Sequence, residues 1–225
     1  CALPISGAQK AVRPFVHDPV GIGVVALQHP RQIGRLLGGV AERVGLGRRV
    51  ERQVGQLAAG LTALGVGPGD RVAVALPNCP QHVVAVTAIL RLGAAVVEHN
   101  PLYTAHELEG LFQDNGARIA IAWDKAAPTL EKLRATTNLE TVVSINMINA
   151  MPTLQRAALR LPIPPLKSKR EQLSSPAPNT VPWEALVGNA IGGDGSDITT
   201  PKDVDKDTIA LIMYTSGTTG APKGA

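Results

Sequence analysis

The 225 residues carry 44% hydrophobic, 18% charged and 3% aromatic side chains, apolar material enough for a buried core and the size of one globular domain or somewhat more. A net charge of +4, from 22 Lys and Arg against 18 Asp and Glu, is too mild and too scattered for a nucleic-acid-binding surface. The 23 Gly and 18 Pro fall short of a disordered composition, and the longest apolar stretch, residues 83–97, is broken by Arg91 and shorter than the ~20 residues of a membrane span. Two cysteines, Cys1 and Cys79, supply neither a disulfide framework nor a zinc site, so a reducing cytoplasm is the expected location.

Residues 1–49 show no clear two-residue or 3.6-residue period and stay unassigned, as a divergent arm, a shifted frame or, at Cys1 to Ile5, translated adapter sequence. Regular patterning starts at residue 50. Val50, Val54, Leu57, Ala58, Leu61 and Leu64 form one apolar helical stripe, which Gly65 should end. After the Gly-Pro-Gly turn at residues 67–69, residues 71–76 (RVAVAL) read as a strand. Pro80 opens a helix over residues 81–92, with Gly93 as its stop.

The run 94–97 is a second strand, and Thr104 with Glu107 has the spacing of a capping box for a helix that Gly116 ends. Residues 118–123 (RIAIAW) and 141–145 (TVVSI) are further strands, separated by a helical segment over 126–136. Strands alternating with helices over residues 50–150 predict an α/β subdomain with a doubly wound, mostly parallel sheet and flanking helices. From Met151 the pattern changes. Leu154, Ala157, Ala158 and Leu161 form an apolar face beside Arg156 and Arg160, and Lys167, Lys169 and Arg170 follow. This basic excursion over 154–170 is a candidate for peripheral contact with an anionic inner-membrane surface, or else a solvated surface segment. Residues 174–182 and 188–201 read as linkers on either side of Trp183.

Residues 207–213 (DTIALIM) form a strand-like run that feeds into Tyr214-Thr215-Ser216-Gly217-Thr218-Thr219-Gly220-Ala221-Pro222-Lys223-Gly224. Gly217, Gly220 and Gly224 let backbone amides turn toward an anion, the hydroxyls of Thr215, Ser216, Thr218 and Thr219 can donate to phosphate oxygens, and Lys223 adds positive charge. A flexible Gly/Ser/Thr linker would share this composition. The strand immediately before the loop and the Pro-Lys at its end favour a phosphate cradle instead. It is not the common P-loop, in which Ser or Thr follows the Lys.

The string YTSGTTGAPKG resembles the nucleotide-phosphate signature of the acyl-adenylate-forming (AMP-binding) superfamily, and residues 57–108 resemble the N-terminal region of that superfamily. EHNPLYT and MPTLQRAALRLPIP look most like bacterial long-chain fatty-acid CoA ligases. The resemblance spans about residues 50–225 and implies the N-terminal portion of the large adenylate-forming domain, truncated within the loop and without the C-terminal domain. It implies an ATP-dependent acyl-CoA ligase of fatty-acid metabolism, with Mg2+ accompanying ATP, CoA as cosubstrate and a fatty acid or other carboxylate as substrate. The alternatives are an adenylating enzyme for an aromatic or amino acid, and a non-catalytic module that binds nucleotide phosphate or a membrane surface.

Under the resemblance, Thr215, Ser216, Gly217, Thr218, Thr219, Gly220 and Lys223 hold the ATP phosphates. No catalytic set is complete within these residues, which alone are expected to be inactive, and no residue is assigned to a metal. His82, on an apolar helical segment without an identifiable carboxylate partner, reads as a packed or surface histidine, and Cys79 as structural. His99 and Tyr103 are candidates for a pocket, or simply parts of the Asn100-Pro101 turn. Asp203, Asp205 and Asp207 read as a solvated approach to the strand.

Overall fold

The computed structural model describes residues 47–188, 191–201, 207–215 and 223–224. Four parallel strands form the centre of its sheet: β1 (Arg71–Ala75), β2 (Ala95–Glu98), β3 (Ile119–Trp123) and β4 (Thr141–Ile145). Three further short strands, β5 (Val181–Pro182), β6 (Leu211–Thr215) and β7 (Lys223–Gly224), complete the order β5-β4-β3-β1-β2-β6-β7. Every neighbouring pair is parallel except β6 with β7. The chain steps from β1 to β2 on one side, crosses to β3 on the other, runs out to β5 and returns to β6 beside β2. This is the doubly wound, mostly parallel sheet that the alternation of elements predicts.

The helices before and after β1, α1 (Gly47–Ala63) and α2 (Pro80–Arg91), lie on one face, and α3 (Ala105–Asn115) with α4 (Ala127–Leu133) on the other. The strands read Val-Ala-Val-Ala and Ile-Ala-Ile-Ala because their two faces meet different partners. Val72, Val74, Ile119, Ile121, Val143 and Ile145 point to the α1/α2 face. Ala73, Ala75, Ala120 and Ala122 point to the other, where Leu108, Leu111 and Phe112 of α3 and Leu130 and Leu133 of α4 supply the bulk. Small strand side chains against large helix side chains keep the layer filled at interior density.

Local signals set the ends of the helices. Thr104 and Glu107 form the capping box of α3 in full, and Gly116 closes that helix at φ 65. Gly65 and Gly93 take φ 88 and 74 where α1 and α2 end. Pro80 stands in the first turn of α2, behind Cys79.

The structure departs from the sequence reading in four places. Strand β6 begins at Leu211, because its ladder starts where Val96 donates to Ala210 O and β2 offers no partner before that point. Residues 174–182 are no loose linker: they contain β5, which pairs Val181 with Val143 and Ser144 with Pro182, an edge position that tolerates proline. The excursion forms two helices, α5 (Thr153–Leu159) and α6 (Pro164–Leu173), and packs Leu159 alone, leaving the predicted face outward with Leu154 83% and Leu161 49% exposed.

Residues 191–201 likewise pack down. Ile191 and Ile198 lie on the α1/α2 core, and the Gly192 and Gly195 backbones rest on Ala59 and Gly55 of α1. This contact, with Leu186 of α7 (Trp183–Val187) over Gly60, buries α1 continuously from Val54 to Leu61 rather than along one stripe.

The glycine contact makes a stability prediction. Gly195 and Gly193 have φ of 77 and 81, so a Cβ at either adds about 1 kcal/mol of left-handed strain. A Cβ at Gly195 would also overlap the Gly55 backbone, whereas Gly193 has open space. Gly195→Ala is expected to cost about 2–4 kcal/mol in urea unfolding and Gly193→Ala about 1 kcal/mol. Equal losses would show that the segment does not rest on α1 in solution.

Candidate phosphate-binding edge

In open parallel sheets ligands bind at the carboxyl ends of the strands, at the point where the winding reverses. Here that edge is formed by Leu76, Glu98 with His99, and Trp123 with Asp124, which end or follow β1, β2 and β3, and by Tyr214 and Thr215 at the end of β6. Of the predicted phosphate-binding residues, Thr215 ends β6 and pairs with Lys223 of β7, as Tyr214 pairs with Gly224. The antiparallel pairing sets the two ends of the signature loop side by side at the ligand edge. Ser216, Gly217, Thr218, Thr219 and Gly220 lie outside the described residues.

Three charged or aromatic groups support this edge. His99 is 5% exposed, and its backbone N–H donates to Val74 O at 2.9 Å, carrying the β1–β2 ladder one step further. Its ring stacks between Phe112 (centroids 4.9 Å apart, planes at 16°) and Tyr214 (5.7 Å, 13°). Asn115 Nδ2 lies 3.4 Å from His99 Nε2, and Nδ1 has no hydrogen-bond partner among the described residues. Burial pushes this imidazole down to about 4, so the ring is neutral at physiological pH.

Tyr214 Oη donates to Asp114 Oδ2 at 2.7 Å and lies 3.3 Å from Leu111 O. Burial, followed by the bond to Asp114, holds its phenol well above the ordinary value. His82 Nε2 sits 2.9 Å from Glu98 Oε1, and this hydrogen bond raises the imidazole above its usual range.

The sequence reading of His82 is corrected here. Its carboxylate partner exists but lies at the end of the next strand, and only the parallel pairing of β1 and β2 brings the two together. His99 and Tyr103 separate. His99 enters the ring stack, while Tyr103 follows the Asn100 turn and packs against the α3/α4 core.

Cys79 is half-buried, and desolvation raises its thiol, so it is no ready nucleophile. Asp207 is exposed, and Asp203 and Asp205 lie outside the described residues. Among the described residues no group of three or more His, Cys, Asp or Glu is arranged to hold a metal ion. A cavity of about 780 Å³ opens elsewhere, between Arg49, Gln81, Asn149, Arg156 and Trp183. Sequence reasoning missed Glu98, Asp114 and Asn115, and the one signal for Tyr214 was an aromatic at the end of a strand immediately before a glycine-rich loop.

Residues 47–225 match the family described as AMP-binding enzyme. The long-chain-fatty-acid–CoA ligase of Bacillus subtilis is 32% identical over 169 residues, 75% of this chain and 29% of that protein. The ligase of the same name from Salmonella typhimurium is 34% identical over 179 residues, 79% of this chain and 31% of that protein. The chain therefore spans about three-tenths of the length of these relatives. A long-chain-fatty-acid-CoA ligase from Archaeoglobus fulgidus superposes with a TM-score of 0.57 at 24% identity, over 79% of this chain and 29% of that protein.

The two histidines make stability respond to pH with opposite signs. For His99 the unfolded chain, with a value near 6.5, takes the proton before the folded protein does at about 4. Stability is therefore intact above pH 6.5 and falls by about 3 kcal/mol as pH drops toward 4. The His82–Glu98 bond contributes below pH 6.5 and is lost as pH rises through the raised value. Urea unfolding from pH 4.5 to 8 should show His99→Phe flattening the acid slope and Glu98→Gln removing the alkaline one. Slopes unchanged in both variants would refute the assignment.

Proposed function

The chain belongs to the AMP-binding enzymes, and on that premise we propose that the full-length protein is an ATP-dependent ligase joining a long-chain fatty acid to CoA. The observation that carries this reading is the β6–β7 pairing, with Thr215 opposite Lys223, at the carboxyl edge of a doubly wound sheet. The 32% and 34% identical relatives support the substrate class.

In the first half-reaction a carboxylate oxygen of the acid attacks the α-phosphorus of ATP. The new O–P bond gives acyl-AMP, and the bond to the β-phosphate breaks to release pyrophosphate. In the second, the CoA sulfur attacks the acyl carbonyl, loses its proton and displaces AMP. The acid is already ionised at neutral pH, so no base is needed for the first step, and the obstacle is repulsion between anions. Thr215, Ser216, Gly217, Thr218, Thr219 and Gly220 hold the β- and γ-phosphates through amides and hydroxyls, and Lys223 offsets the charge that builds on departing pyrophosphate. ATP arrives as its magnesium complex, the metal carried by the nucleotide.

The reading extends to peripheral contact of residues 154–170 with an anionic membrane surface, where an apolar acid would be delivered. Leu154, Leu161 and Ile163 are exposed beside Arg160, Lys167 and Lys169, α6 buries none of its side chains, and no acidic residue occurs between Glu140 and Glu171. Exposed apolar side chains among bases suit the boundary of an anionic leaflet, at about 1 kcal/mol per base near the surface.

Two measurements on the full-length protein test this reading. Long-chain acids should support ATP–pyrophosphate exchange, and Lys223→Ala should reduce it about 100-fold without loss of folding. Exchange with aromatic or amino acids alone would move the substrate class, and ATP binding without exchange for any acid would leave a non-catalytic module. In sedimentation with phosphatidylglycerol vesicles, replacing Leu154, Leu161 and Ile163 by Ser should lower the bound fraction about tenfold. Equal binding of the triple variant would remove this surface from the reading.

A further inference from the structure

Several features of the ligand edge break local rules, and they converge on one residue. Asp114 sits in the last turn of α3, where the helix dipole disfavours a carboxylate. His99 is buried with one ring nitrogen unpartnered among the described residues. Both groups face Tyr214, the residue directly before Thr215: Asp114 accepts its hydroxyl hydrogen, and the His99 ring lies flat against its ring with Phe112 behind. The stack joins elements distant in sequence, with Phe112 from the far-side helix α3, His99 from the end of β2 and Tyr214 from β6. Arg71 Nη1 secures the same helix end by donating to Asn115 O at 2.9 Å.

We propose that Tyr214 is a positioning residue for ATP, clamped by the His99–Phe112 ring stack and the Asp114 carboxylate so that Thr215 and Lys223 are presented at a fixed height on the sheet edge. The inference rests on the reading of that edge as an ATP phosphate site, and it assigns no chemistry to the rings themselves. The register supports it. Glu98 pairs with Met213, so the residues that follow them, His99 and Tyr214, leave the ladder together. The stack then does beyond the last β2–β6 pair what that ladder does before it, resisting tilt of the strand that bears Thr215. Preorganisation of this kind acts on the bound phosphates and leaves the acid site untouched.

The test is calorimetric titration of the full-length protein with ATP, alongside Michaelis constants for ATP and for the fatty acid. Tyr214→Leu and His99→Leu should raise the Kd and KM for ATP about tenfold with the KM for the acid unchanged. His99→Phe, which keeps the stacked ring, should stay within about twofold to threefold of wild type, and Tyr214→Phe, which keeps its ring and loses the bond to Asp114, should fall between wild type and Tyr214→Leu. Unchanged ATP affinity in the leucine variants would overturn the clamp, as would losses shared equally between ATP and acid and proportional to lowered Tm. A wild-type protein that binds ATP but forms no acyl-CoA overturns the ligase reading alone, since the clamp is still judged on the ATP Kd. A wild-type protein that does not bind ATP overturns both.

Discussion

The pairing of β6 with β2 is the constraint on which the ligand edge depends. Val96, Val97 and Glu98 take Leu211, Ile212 and Met213 as partners after the chain has travelled through three more strands of the opposite half and back. A contact of such sequence separation carries a large closure entropy, recovered only when the rest of the sheet is in place. Everything distal to Met213 follows from it: the Tyr214 ring against His99, and Thr215 opposite Lys223. Three ladder positions make a short grip for the strand that leads into the signature loop, and side chains from α3 reinforce it.

The two faces of the sheet divide the work. On the α1/α2 face, branched strand residues meet Val54, Leu57, Leu61, Val84 and Ile89 of the helices, while Gly55, Ala59 and Gly60 let the 191–201 segment and Leu186 close over the back of α1. On the α3/α4 face the strand residues are alanines, and the helices bring leucines and Phe112. The second arrangement draws α3 close to the strands, so that Phe112 meets the His99 ring and the Tyr214 hydroxyl reaches Asp114 in the last turn, beside the start of β1. Larger side chains at Ala73 or Ala75 would push α3 outward and take Phe112 and Asp114 away from Tyr214.

Legibility followed the locality of the interactions. Strand β4 and the Thr104–Glu107 capping box were readable to the residue, because alternation and capping involve neighbours within a few positions. The start of β6 was misplaced because the length of β2, far upstream, sets it. Strand β5 has two residues and a proline, too little for any period, and α6 has no buried face to generate one. At the edge itself, Thr215 and Lys223 were named from the motif, while His82–Glu98 and Tyr214–Asp114 went unseen, since each joins elements that only the winding of the sheet brings together. The excursion was legible in its bases and its apolar face, while the burial of Leu159, which lay outside that face, was not.

The departures from local preference are not scattered. A neutral histidine whose Nδ1 has no partner among the described residues and a half-buried His–Glu pair lie at the carboxyl end of β2, and the carboxylate in the last turn of α3 accepts from Tyr214 near the end of β6. A sequence optimised only for stability would replace His99 with an apolar side chain and Asp114 with a base. Local inconsistency that converges on one strand end is what a functional constraint on it produces. The motif residues and the strained residues are different sets that meet at Tyr214, and their coincidence there carries more weight than either set alone.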